Sequence, residues 1–244
     1  FQIYFSIMIF LCRRLFIIFA TLTRKSMSSK FIIIRVLLFV LLVVGTTSAM
    51  IAQDNDFTTW TKFKVNHKID SRFAVSGDLE LRTEDDMSAI DRWGISVGGD
   101  YRAFSFLKFE IGYETHYRNL GEIGWKFRHR YRIGATASFR YQWLKMSLRE
   151  RFQQTFDRGE SETRLRSRLK LGYAPQKGIV SPYFSIEIYQ SLDDAPFWRT
   201  ARLRYRPGIE IDLTKRWSLD AFYCYQYESS RGKHIAGVEV GYSF

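Results

Sequence analysis

From residue 57 to residue 244, apolar and polar side chains alternate with a period of two, in runs that break and restart. That period places successive side chains on opposite faces of an extended strand. The clearest run sets Trp125, Phe127, Tyr131, Ile133, Ala135, Ala137 and Phe139 in one row. Lys126, Arg128, Arg130, Arg132, Thr136, Ser138 and Arg140 fill the other. Similar runs cover 57–69, 72–82, 92–103, 108–118, 144–153, 164–173, 182–190, 201–212, 217–227 and 234–244. They exceed the usual strand of about 5–6 residues and reach the roughly 9–11 that a tilted strand needs to cross a bilayer. The pattern predicts an all-β protein: a single antiparallel transmembrane β-barrel of 10–12 strands with a charged, Arg-rich lumen. Eleven runs are visible, but single-chain bacterial barrels are normally even, which favours ten or twelve.

A soluble lipocalin-like barrel also alternates, with its apolar row inward and its Arg and Lys outside. Strand length, a signal peptide ahead of the barrel and the terminal Phe244 favour the apolar row outside. Trp93, Trp125, Trp143, Trp198 and Trp217 cluster near strand ends, as in an interfacial aromatic girdle. The last run carries Ala236, Val238, Val240, Tyr242 and the terminal Phe244 in one row, and resembles the signal that the barrel assembly machinery reads. Connections are expected to be tight near Asp70, Ser105, Gln142, Gln176 and Lys215. Longer ones are expected at 83–91, 119–124, 157–162, 192–197 and 229–233. Short turns on one side and long loops on the other fit a transmembrane barrel.

Composition changes this picture in one place. The formal charge of +12 suggests a nucleic-acid binder, yet residues 1–52 hold six basic residues and no acidic one, half of the excess. Residues 27–52 read as a secretory signal peptide, with Lys30 and Arg35 in front, an apolar centre from Val36 to Val44, and small residues Thr47-Ser48-Ala49 for cleavage. Residues 1–26 read as an upstream extension of the gene, leaving 53–244 as the barrel. Export, and basic residues spread along lumen positions, disfavour nucleic acid. Cys224 is alone in the barrel segment, so no internal disulfide is expected.

The lumen row is where chemistry could lie. Its basic residues are Arg128, Arg130, Arg132, Arg149, Arg151, Arg164, Arg166 and Arg168, and the acidic residues that face them include Glu110, Glu114, Glu187 and Glu210. Charges out of water need partners, so one expectation is a bracing ion-pair network. The other is a lumen that attracts small anions or lipid headgroups. No catalytic residue is assigned: the histidines form no metal or triad motif, and His116 beside Glu114 is the best base but reads as an ion-paired lumen residue. Neither a metal nor a cofactor is implied.

Several stretches resemble a known family: W-T-K-F-K-V from Trp60, I-D-R-W-G-I-S-V-G-G-D-Y from Ile90, F-R-H-R-Y-R from Phe127, L-R-E-R-F from Leu148, L-R-S-R-L-K from Leu165, Y-C-Y-Q-Y-E from Tyr223 and the terminal G-Y-S-F. They are similar to the Bacteroidetes outer-membrane proteins grouped as domain of unknown function 2490. The resemblance implies an outer-membrane barrel in a Gram-negative bacterium, surrounded by outer-membrane lipid, and implies no reaction. Two functions follow as expectations: a structural barrel or narrow anion-biased pore, or a lipid-modifying or lipid-binding enzyme whose arginines hold anionic headgroups.

Overall fold

The computed structural model describes residues 56–157, 159–174, 178–193, 198–228 and 231–244, all within the unit Asp54–Phe244. The expected signal peptide and upstream extension lie outside the described residues. Each alternating run becomes a strand: β1 (Asp56–Lys68), β2 (Phe73–Glu84), β3 (Ala89–Arg102), β4 (Leu107–Asn119), β5 (Trp125–Tyr141), β6 (Leu144–Asp157), β7 (Glu160–Tyr173), β8 (Val180–Ser191), β9 (Arg199–Asp212), β10 (Trp217–Glu228) and β11 (Arg231–Ser243). One 3-10 turn, Gly121–Ile123, interrupts the β4–β5 connection. Strands of 12 residues extend about 40 Å, or about 30 Å when tilted by roughly 40°, enough for an apolar band about 25 Å tall.

Every strand pairs with its chain neighbours, and β1 closes the barrel against β11. This corrects two expectations. Among the described residues the count is eleven rather than even, and the barrel is not wholly antiparallel, because β1 runs parallel to β11 from Asp56↔Lys233 to Asn66↔Ser243. The cause is parity. An up-and-down meander reverses direction at each turn, so an odd last strand points the same way as the first and can close on it only in parallel.

The expected contrast between short and long connections also fails among the described residues. The described connections 85–88 and 120–124 have four and five residues, against four in both 69–72 and 103–106 at the opposite end. The other long connections expected, and the tight one near Gln176, reach residues 158, 194–197, 229–230 and 175–177, outside the described residues. Thr83, Asp157, Glu160 and Glu162 are polar because they face the lumen, and their backbone stays in the ladder.

The two rows separate as the period requires. Ile111 and Ile133 point outward, about 60% exposed (62% and 59%), whereas Ser185 and Glu187 inside are 1% and 2% exposed. Aromatic rings gather outside in two belts. Phe73–Tyr101, Trp143–Tyr173 and Trp217–Tyr242–Phe244 ring the end at Phe244; Trp93–Tyr117–Phe127 lies at the other. A soluble protein would reverse this distribution.

Candidate functional site: the arginine lattice of the lumen

Neighbouring antiparallel strands bring inward residues side by side, so alternating arginines on β5 to β9 become a two-dimensional lattice. One row reads Arg149, Arg168, Glu187, Arg204 across β6 to β9. The next, one pleat towards the Asp157 end of β6, reads Arg151, Arg166, Tyr189, Arg202. Glu187 is the buried hub. Arg166 donates to both of its oxygens at 2.7 Å, and Tyr189 OH donates to it at 3.3 Å. Arg149 and Arg168 stand 3.7 Å from the same carboxylate, and Arg204 3.6 Å.

Around that hub the other expected lumen residues are brought together in pairs. Arg151 Nε donates to Glu110 at 2.6 Å, and Arg130 to Glu114 at 3.0 Å. Arg132 lies 3.8 Å from Glu114 and 3.9 Å from Asp78, and Arg128 is 2.8 Å from Asp157. Arg164 pairs with Glu162, and Lys170 with Glu210. Arg132 can lie flat along the wall because Gly112 beneath it has no side chain; a Cβ there would meet its Nε at 2.3 Å.

The strand ends opposite Phe244 enclose a cavity of about 640 Å³. Ten cationic side chains line it: Arg82, Arg92, Arg118, Arg128, Arg130, Arg164, Arg166, Arg202, Arg204 and Lys233. The carboxylates on its wall number five: Asp91, Asp157, Glu160, Glu162 and Glu228. Gln153, Thr155 and Tyr189 add neutral hydrogen-bonding groups. Just behind this lining, Glu80, Glu114 and Glu187 pair with Arg82, Arg92, Arg130, Arg166 and Arg204, so ten cations meet eight carboxylates and the wall keeps a small positive excess, of the kind that attracts anions.

Two features escaped the sequence reading. The lumen has a small apolar cluster, Phe222, Cys224 and Ile235, with Trp60 against it. Arg206 lies 3.4 Å over the Phe222 ring, and Arg82 and Arg204 cover Trp60 at 3.8 and 4.7 Å. The signal was present, since Phe222 and Ile235 stand in the inward row, but their convergence with Trp60 requires the β1–β11 closure. The second is Glu150, which falls in the outward row of β6 and accepts a hydrogen bond from Ser167 at 2.6 Å.

The remaining expected residues sit apart from the lattice. Ala236, Val238, Val240 and Tyr242 occupy the outward row of β11, and the Phe244 N–H donates to Asn66 O at 3.0 Å. His116 is inward and buried, 3.5 Å from Glu114. Among the described residues, no group of three or more His, Cys, Asp or Glu is placed to hold a metal ion.

Comparison with known proteins gives the class first. The family described as "Protein of unknown function (DUF2490)" matches residues 57–235, nearly the whole barrel. This chain belongs to that family. Among solved structures it is similar to the translocator domain of the autotransporter NalP from Neisseria meningitidis, with a TM-score of 0.41 and 16% identity, over 69% of this chain and 73% of that one. No curated protein matches it.

Proposed function

We propose that the chain is a non-enzymatic outer-membrane barrel of a Gram-negative bacterium of the Bacteroidetes, and that its cationic lumen admits small anions as a narrow, anion-biased pore. The observation that carries this reading is the cavity wall, where ten cationic groups meet eight carboxylates on and just behind the lining. Rings of arginine bias a pore towards anions. Outer-membrane lipid would cover the outward rows between the aromatic belts, and the barrel assembly machinery would take the β11 end at Phe244.

Reversal potentials across a planar bilayer test the reading. The folded protein in a potassium chloride gradient is expected to give small, defined conductances that favour chloride. Replacing Arg128, Arg130 and Arg132 together by Gln should reduce that preference by several-fold. Cation preference, or no conductance from protein folded by gel and circular dichroism, would overturn the pore and leave a structural barrel.

A further inference from the structure

Two arginine pairs stand directly opposite each other across β6 and β7: Arg149 with Arg168, and Arg151 with Arg166. Like charges in directly opposed positions destabilise an antiparallel pair. The nearby carboxylates do not cancel them. Glu187 is shared by Arg149, Arg166, Arg168 and Arg204, and Glu110 is taken by Arg151. Five guanidiniums thus share two carboxylates, a surplus of three positive charges in one patch of wall. The Nε–H groups of Arg149, Arg166 and Arg168 are also buried and meet no acceptor among the described residues. A buried donor without an acceptor costs about 1–3 kcal/mol.

One kind of ligand answers both deficits. It must be compact, carry more than one negative charge, and present several acceptor oxygens to planar forks of N–H donors. A phosphate group has these properties, and arginine meets it in bidentate fashion. Arg166, one edge of the patch, lines with Arg204 the cavity at the barrel end opposite Phe244, and this is the side from which a ligand would approach.

Resting on the anion-admitting lumen above, we propose that this patch is a phosphate-binding site, held by Arg149, Arg151, Arg166 and Arg168. Glu187 is its internal anion, holding the guanidiniums in place when the site is empty. The phosphate is carried either by free inorganic phosphate or by a phosphomonoester headgroup.

The test is thermal unfolding of the full chain folded in neutral detergent micelles, at constant ionic strength. One arm adds inorganic phosphate, one adds dihexanoyl phosphatidic acid, and the reference adds only sodium chloride. The expected result is a saturable rise in the unfolding midpoint with a phosphate probe, absent with chloride. A rise with inorganic phosphate assigns the free ion; a rise with phosphatidic acid alone assigns the headgroup. Glu187→Gln removes the competing charge and should tighten phosphate binding about tenfold. Arg149→Gln with Arg168→Gln should abolish the phosphate-dependent rise. If that pair fails to fold, the wild-type comparison and the Glu187→Gln shift decide alone.

Flat responses in both phosphate arms overturn the site, and so does a Glu187→Gln protein whose phosphate affinity is unchanged or weaker. The two proposals fail separately. Anion-biased conductance with no phosphate protection removes this site and keeps the lumen reading. Phosphate protection with cation-biased conductance does the reverse.

Discussion

Glu150 is the single carboxylate in the outward rows between the two aromatic belts, among the described residues, and its neighbours opposite are Ala135 and Ser167. A charge facing lipid at mid-height is costly; Lys or Arg costs about 2–4 kcal/mol there and an acidic residue less. With the outward rows in lipid, as proposed above, Glu150→Leu removes that cost and loses one hydrogen bond from Ser167. The expected net effect is a gain of about 1 kcal/mol, read as a higher urea midpoint for protein folded into lipid vesicles. A lower midpoint would mean that this face of the barrel does not meet lipid. At the turn between β1 and β2, Asp70 accepts backbone N–H bonds from Arg72 at 2.6 Å and Phe73 at 2.7 Å. These bonds, the one from Phe73 first, hold its carboxyl below the ordinary Asp range. A depressed folded-state value means that the contribution is present above the unfolded value, about pH 4, and is lost as pH falls through the folded one. Asp70→Asn keeps an acceptor but takes up no proton there. Its denaturant midpoint should fall less than the wild type's between pH 4 and pH 2, in a series at fixed ionic strength.

At the scale of elements, the tightest fit is between β10 and β11. The Phe222 ring lies over Gly237, where a Cβ would come within 2.0 Å of its Cζ. Arg206 occupies the other side of the ring and Trp60 its edge at 6.4 Å, so the ring has little room to withdraw. Gly237→Val should therefore cost about 1–3 kcal/mol, measured by urea unfolding. Phe222→Ala added to it should recover part of the loss, as coupled neighbours do. This corner also marks how far the sequence could be read. Row membership was legible throughout, because one pleat separates Arg128 from Phe127 whatever the partner strand. Strand ends were not, because lumen-facing Asp157, Glu160 and Glu162 have the composition of a loop. Nor could the arginines be grouped: that Arg149 opposes Arg168 depends on the register of the β6–β7 turn, which local periodicity leaves free. The Trp60–Phe222 contact depends on closure, which no single segment encodes.

For the molecule as a whole, the odd strand count sets an orientation. Because β1 and β11 are parallel, both begin at the end of the barrel that holds the cationic cavity, and β11 finishes at the other, beside the 103–106 and 142–143 turns. If the assembly machinery engages Phe244 from the periplasm, that end is periplasmic and the cavity opens to the cell exterior. Anions, or headgroups of the outer leaflet, then reach the arginine lattice without first crossing the membrane. Epitope tags separate the two orientations. A tag inserted in the 85–88 turn should be labelled by antibody on intact cells, and one in the 103–106 turn only after permeabilisation. The reverse pattern would place the cavity on the periplasmic side and make its ligands those of the periplasm. Either pattern presupposes a folded barrel, and this has its own control. Unheated protein should migrate differently from boiled protein on a gel, because a closed ladder of eleven strands resists detergent until heat opens it. Since every edge is paired, opening must begin by parting two strands over their full length. The β1–β11 seam is the place to expect it, because parallel pairing is slightly the weaker per residue.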